Sequence, residues 1–398
     1  MSTARALAGG LLLAAALLSR PAKPDAREPS PHALHAARAA HASRADASAA
    51  LRGIRGITIG PIENADHPGV GYGSPAYART LDECVRSGAT WVAITPFGRV
   101  ADLTGRGVDP SFEQPFSKNR EDVRRAITMA HERGLSVMLV PHLWVESGEW
   151  RAKINPPTDA AWETWTRSYG AFVRGWAEVA ESAHVELFSA GVELRSWVTT
   201  ARAPSFAALV RELRVIYKGQ ITYSANWDDV DDTLVLAELD VIGVNAFYPL
   251  AEKDGAPFEV LLEGGKRVRS RVHALAEIWQ KPILFTEIGY TTRPDPAVRP
   301  WEWPDGMKNV RVDEVAQADA YRALLAPLLD EPLFKGFFVW RVYADPDDTS
   351  QEAEWGFSPR GKLAELVMRD AFSATWASDP GPHARGWPPP ARVPGLFP

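Results

Sequence analysis

The feature that most constrains the fold is a regular alternation of short and long apolar runs between Ile54 and Phe372. β-branched and aromatic residues crowd the short runs, whereas the long runs repeat apolar residues at helical spacing. Parallel strands need a long crossover, usually a helix, so this alternation predicts βα units. Eight strands are predicted, at Arg55–Gly60, Thr90–Pro96, Ser136–Trp144, Val185–Glu193, Gln220–Asn226, Asp240–Tyr248, Pro282–Glu287 and Gly336–Tyr343.

Helix-boundary residues lie between these strands. Ser74 and Pro75 supply an N-cap and a first-turn proline, and Gly88 ends that helix. Eight βα units in one chain predict an α/β protein with a single-domain (β/α)8 TIM barrel over residues 51–375. A doubly wound open sheet is the alternative, but no glycine-rich dinucleotide fingerprint follows the first strand. Longer helices are predicted at Asp159–Ala183, Phe206–Tyr217, Phe258–Trp279, Val312–Leu329 and Gly361–Phe372, and the crossover at Asp231–Leu239 is the shortest.

Residues 1–50 and 376–398 are predicted to lie outside the barrel domain. Arg5 precedes the apolar run Ala6–Leu18, so residues 1–20 are predicted to be a signal peptide or an anchor. The protein is then expected to be extracytoplasmic, either secreted or periplasmic. Residues 21–50 lack apolar periodicity and are predicted to be a disordered linker, and residues 376–398 form a proline-rich tail.

Composition and net charge limit the classes of partner and cofactor that the protein is expected to bind. A net charge of −6 provides no cationic surface for phosphate groups, so neither nucleic acid nor an anionic membrane is expected as a partner. Membrane contact is expected only through a possible N-terminal anchor. Cys84 is the single cysteine, and no Cys/His cluster has metal-ligand spacing, so neither a metal nor another cofactor is predicted. The 15 tryptophans include several just after predicted strands, where they favour a flat stacking surface, although core filling is the simpler explanation. A monomer is expected.

Two glutamates stand at the ends of predicted strands. Glu193 ends the fourth strand and Glu287 ends the seventh, whereas Glu186 begins the fourth and belongs to the barrel floor. Barrel chemistry collects at the C-terminal strand ends, where strands four and seven lie across the mouth from each other. Retaining glycoside hydrolysis needs such a pair, about 5–5.5 Å apart. The alternative is that each glutamate is a structural partner of an arginine such as Arg195 or Arg341.

Four segments around these residues resemble a known family. "FSAGVELRSW", "GVNAFYPL", "FTEIGYTT" and "FFVWRVY" are similar to the strand ends of clan A glycoside hydrolases, and within the clan to family 113, which includes β-1,4-mannanases. The resemblance covers Arg55 to Phe372. It implies that Glu193 is the acid/base and Glu287 the nucleophile, that Tyr248 hydrogen-bonds the nucleophile, and that Trp340 forms a platform under the sugar in the −1 subsite.

One position departs from the clan. Most members have an asparagine directly before the acid/base, but here the residue is Val192, so the sugar 2-hydroxyl would need another partner, such as Asn226 or His142. The loop after the seventh strand could form an outer subsite with Trp301 and Trp303, or could pack onto the barrel. The remaining candidates for substrate binding at the strand ends are Trp144, Trp227 and Asn245.

The function expected from the sequence is an exported, retaining, endo-β-mannanase-like hydrolase that cleaves a β-linked polysaccharide or oligosaccharide, above all β-1,4-mannan, by double displacement. A β-glucan or β-galactan hydrolase of the same clan is one alternative. A non-catalytic barrel that binds glycan through its tryptophans is another, and Val192 keeps it open.

Overall fold

The computed structural model describes residues 53–60, 69–111, 114–302, 310–348, 352 and 354–378. The predicted signal segment, the linker and nearly all of the tail lie outside these residues. Eight parallel strands close into a barrel in the order β1-β10-β9-β8-β7-β6-β4-β2, which confirms the predicted fold. The strands are β1 (Ile54–Gly60), β2 (Trp91–Ile94), β3 (Phe97–Val100), β4 (Ser136–Leu139), β5 (His142–Val145), β6 (Leu187–Val192), β7 (Gln220–Asn226), β8 (Ile242–Asn245), β9 (Ile283–Ile288) and β10 (Phe334–Tyr343).

Helices surround the barrel, and side-chain caps begin several of them. Ser74 Oγ accepts a hydrogen bond from the Tyr77 N–H, and Thr158 Oγ1 accepts one from the Ala161 N–H. These oxygens satisfy amide groups that have no partner inside the helix. The described helices are α1 (Pro75–Arg86), α2 (Phe116–His131), α3 (Asp159–Ser182), α4 (Arg195–Val198), α5 (Ala203–Ile216), α6 (Phe258–Trp279), α7 (Glu314–Leu328) and α8 (Leu363–Ser373).

Prolines end two barrel strands earlier than the sequence predicts. The predicted strand Ser136–Trp144 is divided at Pro141 into β4 and β5, and Pro96 separates β2 from β3. Proline has no N–H to donate, so it interrupts a strand ladder. Beyond the prolines, β3 and β5 pair with each other in a separate parallel sheet, with Phe97 opposite His142.

The shortest predicted crossover contains no α-helix. Between β7 and β8 the chain makes two 3₁₀ turns, at Val230–Asp232 and Leu236–Glu238. The Lys281 ammonium donates to the carbonyls of Leu236, Ala237 and Leu239, so these turns are held against the start of β9.

Two separate apolar cores build the barrel. The larger core lies between strands and helices, and the smaller one fills the interior. Gly56 is required in the interior, because a Cβ atom there would lie 2.2 Å from the Phe338 ring. The interior core consists of Ile54, Trp91, Ala93, Met138, Val140, Leu187, Val192, Val241, Leu284 and Phe338. It closes the interior, so chemistry is confined to the strand ends.

The described chain extends slightly past the predicted domain boundary at residue 375. Trp376 is buried, its ring stacks on Phe337 at a centroid distance of 5.7 Å, and the Arg55 guanidinium lies 4.3 Å from its centroid. In the described part of the chain, no helix is both long and apolar enough to cross a membrane.

Candidate active site

Glu193 directly follows β6 and is held in an uncommon backbone conformation. Its φ is +52°, in the left-handed region that residues other than glycine rarely adopt. Its N–H donates to the Ser224 carbonyl at 2.9 Å, and the next N–H, of Leu194, donates to the Tyr223 hydroxyl at 2.6 Å. Neighbouring strand β7 therefore fixes the turn that aims the Glu193 side chain.

Three donors converge on the Glu193 carboxylate, which is buried. Oε2 accepts from the Arg151 guanidinium at 2.6 Å and from the Trp150 indole at 2.7 Å. Oε1 accepts from Asn245 Nδ2 at 3.1 Å. Hydrogen bonds to both oxygens therefore fix the orientation of the Glu193 carboxyl group.

Asn245 ends β8 and lies between the two glutamates. Its Nδ2 donates to Glu193, and a hydrogen bond from the same side chain lowers the pKa of Glu287. Its Oδ1 accepts from the Thr286 hydroxyl at 2.9 Å, which fixes the orientation of the amide. Because Asn245 is also paired in register with Glu287 on β9, one amide connects strands four, six and seven of the barrel.

Glu287 has a different environment from Glu193. It is buried at the end of β9, and burial together with the charge of Glu193 raises its pKa to about 8. Arg151, Arg341 and Asn245 offset part of this rise. Glu287 therefore keeps its proton to a higher pH than an exposed glutamate does, because two close carboxylates in a buried site resist simultaneous ionisation.

His142 contacts Glu287 from the start of β5. Its Nε2 lies 3.2 Å from Glu287 Oε1, and its ring is fully buried between Phe97 and Trp340, at centroid distances of 5.0 and 5.6 Å. Burial, followed by the charges of Arg151 and Arg341, holds its pKa well below the usual range. His142 is thus a neutral imidazole at the floor of the site.

Trp340, predicted as the sugar platform, lies half-buried on β10 beside His142. The Arg341 guanidinium lies 4.7 Å from the centroid of its ring. The structure therefore brings five predicted residues into one group, namely Glu193, Glu287, Asn245, His142 and Trp340.

Three other predicted residues form a second group at the rim. Trp301 is 48% exposed and stacks on Trp227 at a centroid distance of 5.4 Å, and Trp227 meets Tyr248 edge-on at 5.6 Å. Within the described residues, no hydrogen bond joins the Tyr248 hydroxyl to Glu287. Strand β8 ends at Asn245, and the residues after it carry Tyr248 into the outer core, where the Arg271 guanidinium lies 5.7 Å from its ring.

The remaining candidates lie apart from the glutamates. Asn226 ends β7, but its Nδ2 donates to Asp228 at 2.6 Å and its N–H donates to Asp229 at 3.0 Å, so the side chain serves the turn that follows. Trp144 is 52% exposed on β5. Trp303 lies outside the described residues.

The alternative to catalysis is that each glutamate pairs with an arginine such as Arg195 or Arg341, and Glu193 does have an arginine partner. Arg195 pairs with Asp228 and Asp229, and Arg341 donates to the Tyr343 hydroxyl at 2.9 Å. The cation that pairs with Glu193 is Arg151.

Trp150 and Arg151 were missed as site residues by the sequence analysis. They lie in the loop after β5, 43 and 42 residues before Glu193, and no sequence motif links them to it. The one available signal was a tryptophan next to a cation in a loop after a barrel strand.

In the described ranges, no group of three His, Cys, Asp or Glu side chains could hold a metal ion.

The arrangement defines a class of protein. A closed parallel barrel whose C-terminal strand ends carry two buried, electrostatically coupled glutamates is the architecture of a barrel glycoside hydrolase. The sequence model of glycoside hydrolase family 113 matches residues 68–362. The chain belongs to glycoside hydrolase family 113.

Solved structures share the fold. A family 113 β-mannanase from Alicyclobacillus acidocaldarius, in complex with ManMIm, aligns with a TM-score of 0.70 and 24% identity over 82% of this chain and 99% of that chain. A family 113 β-1,4-mannanase complex aligns with a TM-score of 0.67 and 22% identity over 81% of this chain and 99% of that one. A family 5 mannosidase from Rhizomucor miehei aligns with a TM-score of 0.55 and 9% identity over 81% and 92%. No curated protein sequence matches the chain significantly.

Proposed function

We propose that the protein hydrolyses β-1,4-linked mannan and its oligosaccharides with retention of configuration, using Glu193 and Glu287. The observation that carries the proposal is the pair itself, in which two buried carboxyl groups are joined through one asparagine at the C-terminal strand ends. Mannan is chosen because the similar family 113 structures are described as β-mannanases.

The first step needs one proton and one anion. Glu193 protonates the glycosidic oxygen as the bond to the leaving sugar breaks, while Glu287 attacks the anomeric carbon and forms a glycosyl-enzyme. In the second step water attacks the same carbon, its proton passes to Glu193, and Glu287 is released as a carboxylate. Glu287 must be ionised in order to attack, and burial together with the charge of Glu193 raises its pKa to about 8.

The aromatic residues supply surfaces for sugar rings. The faces of pyranoses are apolar enough to pack on indoles. Trp340 lies beside the glutamate pair and suits the sugar at the cleavage point, whereas the stacked pair of Trp227 and Trp301 suits a sugar farther along the chain.

We also propose that the protein is exported. The support is in residues 1–20, where Arg5 precedes an apolar run. N-terminal sequencing of the protein recovered from the culture medium or periplasm tests this proposal, and an intact N-terminus on protein found only in the cytoplasm would refute it.

The test of hydrolysis is release of reducing ends from β-mannan, β-glucan and β-galactan. We expect wild type to act on mannan, and both Glu193→Ala and Glu287→Ala to lose at least about 10³-fold in kcat/KM. Glu186→Gln is the matched control. Its carboxylate precedes β6, accepts from the Val137 N–H at 2.8 Å and contacts His131, so this variant should retain activity.

Two further measurements assign the roles. Azide should rescue Glu287→Ala with formation of an α-glycosyl azide, and proton NMR of the first product of wild type should show the β-anomer. An initial α-anomer would exclude double displacement. Glycan binding without turnover in wild type would favour the alternative of a non-catalytic barrel.

A further inference from the structure

The side chains of β5 alternate between two faces of the small β3–β5 sheet. Leu143 and Val145 are buried in the larger, outer core of the barrel. Successive side chains of a strand point to opposite faces, so His142 and Trp144 share the other face. This second face does not pack on the outer core.

The face that carries Trp144 leads out of the active site. The His142 ring lies beside the Trp340 ring at a centroid distance of 5.6 Å, and Trp340 is the proposed surface for the sugar at the cleavage point. A strand rises about 3.3 Å per residue, so Trp144 lies about 7 Å farther along β5 than His142. This distance is comparable to the length of one sugar residue.

The Trp144 side chain is accessible to a ligand. It is 52% exposed, and within the described residues its indole N–H has no acceptor and its ring contacts no other aromatic ring. A single exposed apolar side chain is common on protein surfaces. Trp144 differs from such a side chain in its position, because it stands on a strand whose same face reaches the active site.

Polar groups beside Trp144 suit a neutral ligand. Arg99 lies opposite Trp144 in the register of β3 and β5, and its guanidinium forms an ion pair with Glu146 at 3.0 Å. Both charged side chains are partly exposed, and their charges cancel. These three residues, which we call the Trp144 strip, combine an apolar plate with donors and acceptors of the kind that sugar hydroxyls need.

The order of the barrel strands places the Trp144 strip across the active site from the stacked pair of Trp227 and Trp301. Glu193 follows β6 and Glu287 lies on β9. Around the barrel, β7 and β8 lie on one side of these two strands, and β4, β2, β1 and β10 lie on the other. Trp227 directly follows β7, whereas Trp144 stands on the continuation of the chain beyond β4. The two aromatic surfaces therefore flank the glutamates on opposite sides.

We propose that the Trp144 strip is a sugar-binding subsite for the same β-linked glycan that the stacked tryptophan pair binds on the other side. The glycan crosses the C-terminal strand ends with one sugar on Trp340, and it extends in one direction to Trp144 and in the other to the tryptophan pair. The inference rests on the proposed function, because it takes the two glutamates as the groups that flank the cleaved bond.

The test is the position of cleavage in mannopentaose labelled with heavy oxygen at its reducing end. Loss of a subsite on one side disfavours the binding positions that fill it, so a different bond is cleaved. Trp144→Ala and Trp301→Ala should shift the preferred bond in opposite directions along the chain, and Trp144→Ala should lower kcat/KM about 3–10-fold. Shifts in the same direction, or an unchanged pattern in Trp144→Ala, would overturn the inference.

Two control variants separate stacking from a general loss of apolar surface. Trp144→Phe keeps an aromatic face and should keep the wild-type cleavage pattern. Ile278→Ala removes an exposed apolar side chain from α6, on the outside of the barrel, and should change neither the pattern nor kcat/KM. An effect of Ile278→Ala equal to that of Trp144→Ala would also count against the subsite.

A second readout does not depend on turnover. In the Glu193→Gln background, calorimetric titration with mannopentaose should give a Kd that is about 3–10-fold higher when Trp144→Ala is added. An unchanged Kd, or no binding of mannopentaose at all, would overturn the inference. If wild type binds the glycan with this dependence on Trp144 but does not hydrolyse it, the proposed function fails and the subsite stands. Hydrolysis that is indifferent to Trp144 in both assays would remove the subsite alone.

Discussion

Glu287→Gln should stabilise the folded protein, and the gain should grow with pH. Glutamine has nearly the same shape as a protonated glutamate and keeps the uncharged form. At about 1.4 kcal/mol per pH unit, a rise in pKa from 4.5 to about 8 makes ionised Glu287 about 5 kcal/mol less favourable in the folded than in the unfolded protein. This cost is avoided when the residue cannot ionise.

The direction of the pH dependence follows from the difference between the pKa of Glu287 in the folded protein and in the unfolded chain. The folded-state pKa is raised, so the unfolded chain releases this proton first, and wild type loses stability as pH increases from the unfolded value near 4.5 towards the folded value near 8. The free energy of unfolding of Glu287→Gln should therefore exceed that of wild type by an amount that grows with pH. Apart from a pH-independent difference between the two proteins, this amount should be under about 1 kcal/mol at pH 5, about 3 kcal/mol at pH 7 and about 5 kcal/mol at pH 9.

The assay is urea unfolding followed by tryptophan fluorescence at these three pH values. Glu163→Gln, at an exposed position on α3, is the control and should show no such trend. A stability difference between Glu287→Gln and wild type that stays constant from pH 5 to pH 9 would refute the reasoning, because it would mean that the Glu287 carboxyl ionises as readily in the folded protein as in the unfolded chain.

Three more perturbations test the site and the fold. Asn245→Ala leaves the Thr286 hydroxyl without its acceptor and removes the amide between the glutamates, so kcat should fall about 10²-fold or more while KM changes little; loss in KM alone would contradict this. Trp301→Ala should raise KM several-fold for long mannooligosaccharides and leave the shortest substrates unaffected, whereas an equal effect on both would place Trp301 at the cleavage point. Gly265→Ala would put a Cβ atom 1.9 Å from the Ala323 carbonyl oxygen, so α6 and α7 must separate and the free energy of unfolding should fall by about 1–3 kcal/mol; an unchanged urea midpoint would show that the helices are less closely packed.

The predicted barrel is confirmed because local patterns specify its units. Alternating strand and helix periodicities, caps such as Ser74 and the lack of a dinucleotide fingerprint are all properties of short segments. The errors lie at element ends. The sequence predicts one strand across Pro141, where β4 and β5 are separate, and it predicts a strand that ends at Tyr248, whereas β8 ends at Asn245.

The sequence by itself determined the number and order of βα units and placed two glutamates at the ends of the fourth and seventh barrel strands, because strand period and strand termini are written in neighbouring residues. Only the tertiary structure decided which side chains reach those glutamates. Arg151 pairs with Glu193 across 42 residues, and Asn245 meets both acids only because the barrel closes. The raised pKa of Glu287 depends on burial and on charges brought together from distant segments, so it is a property of the fold and not of any local motif.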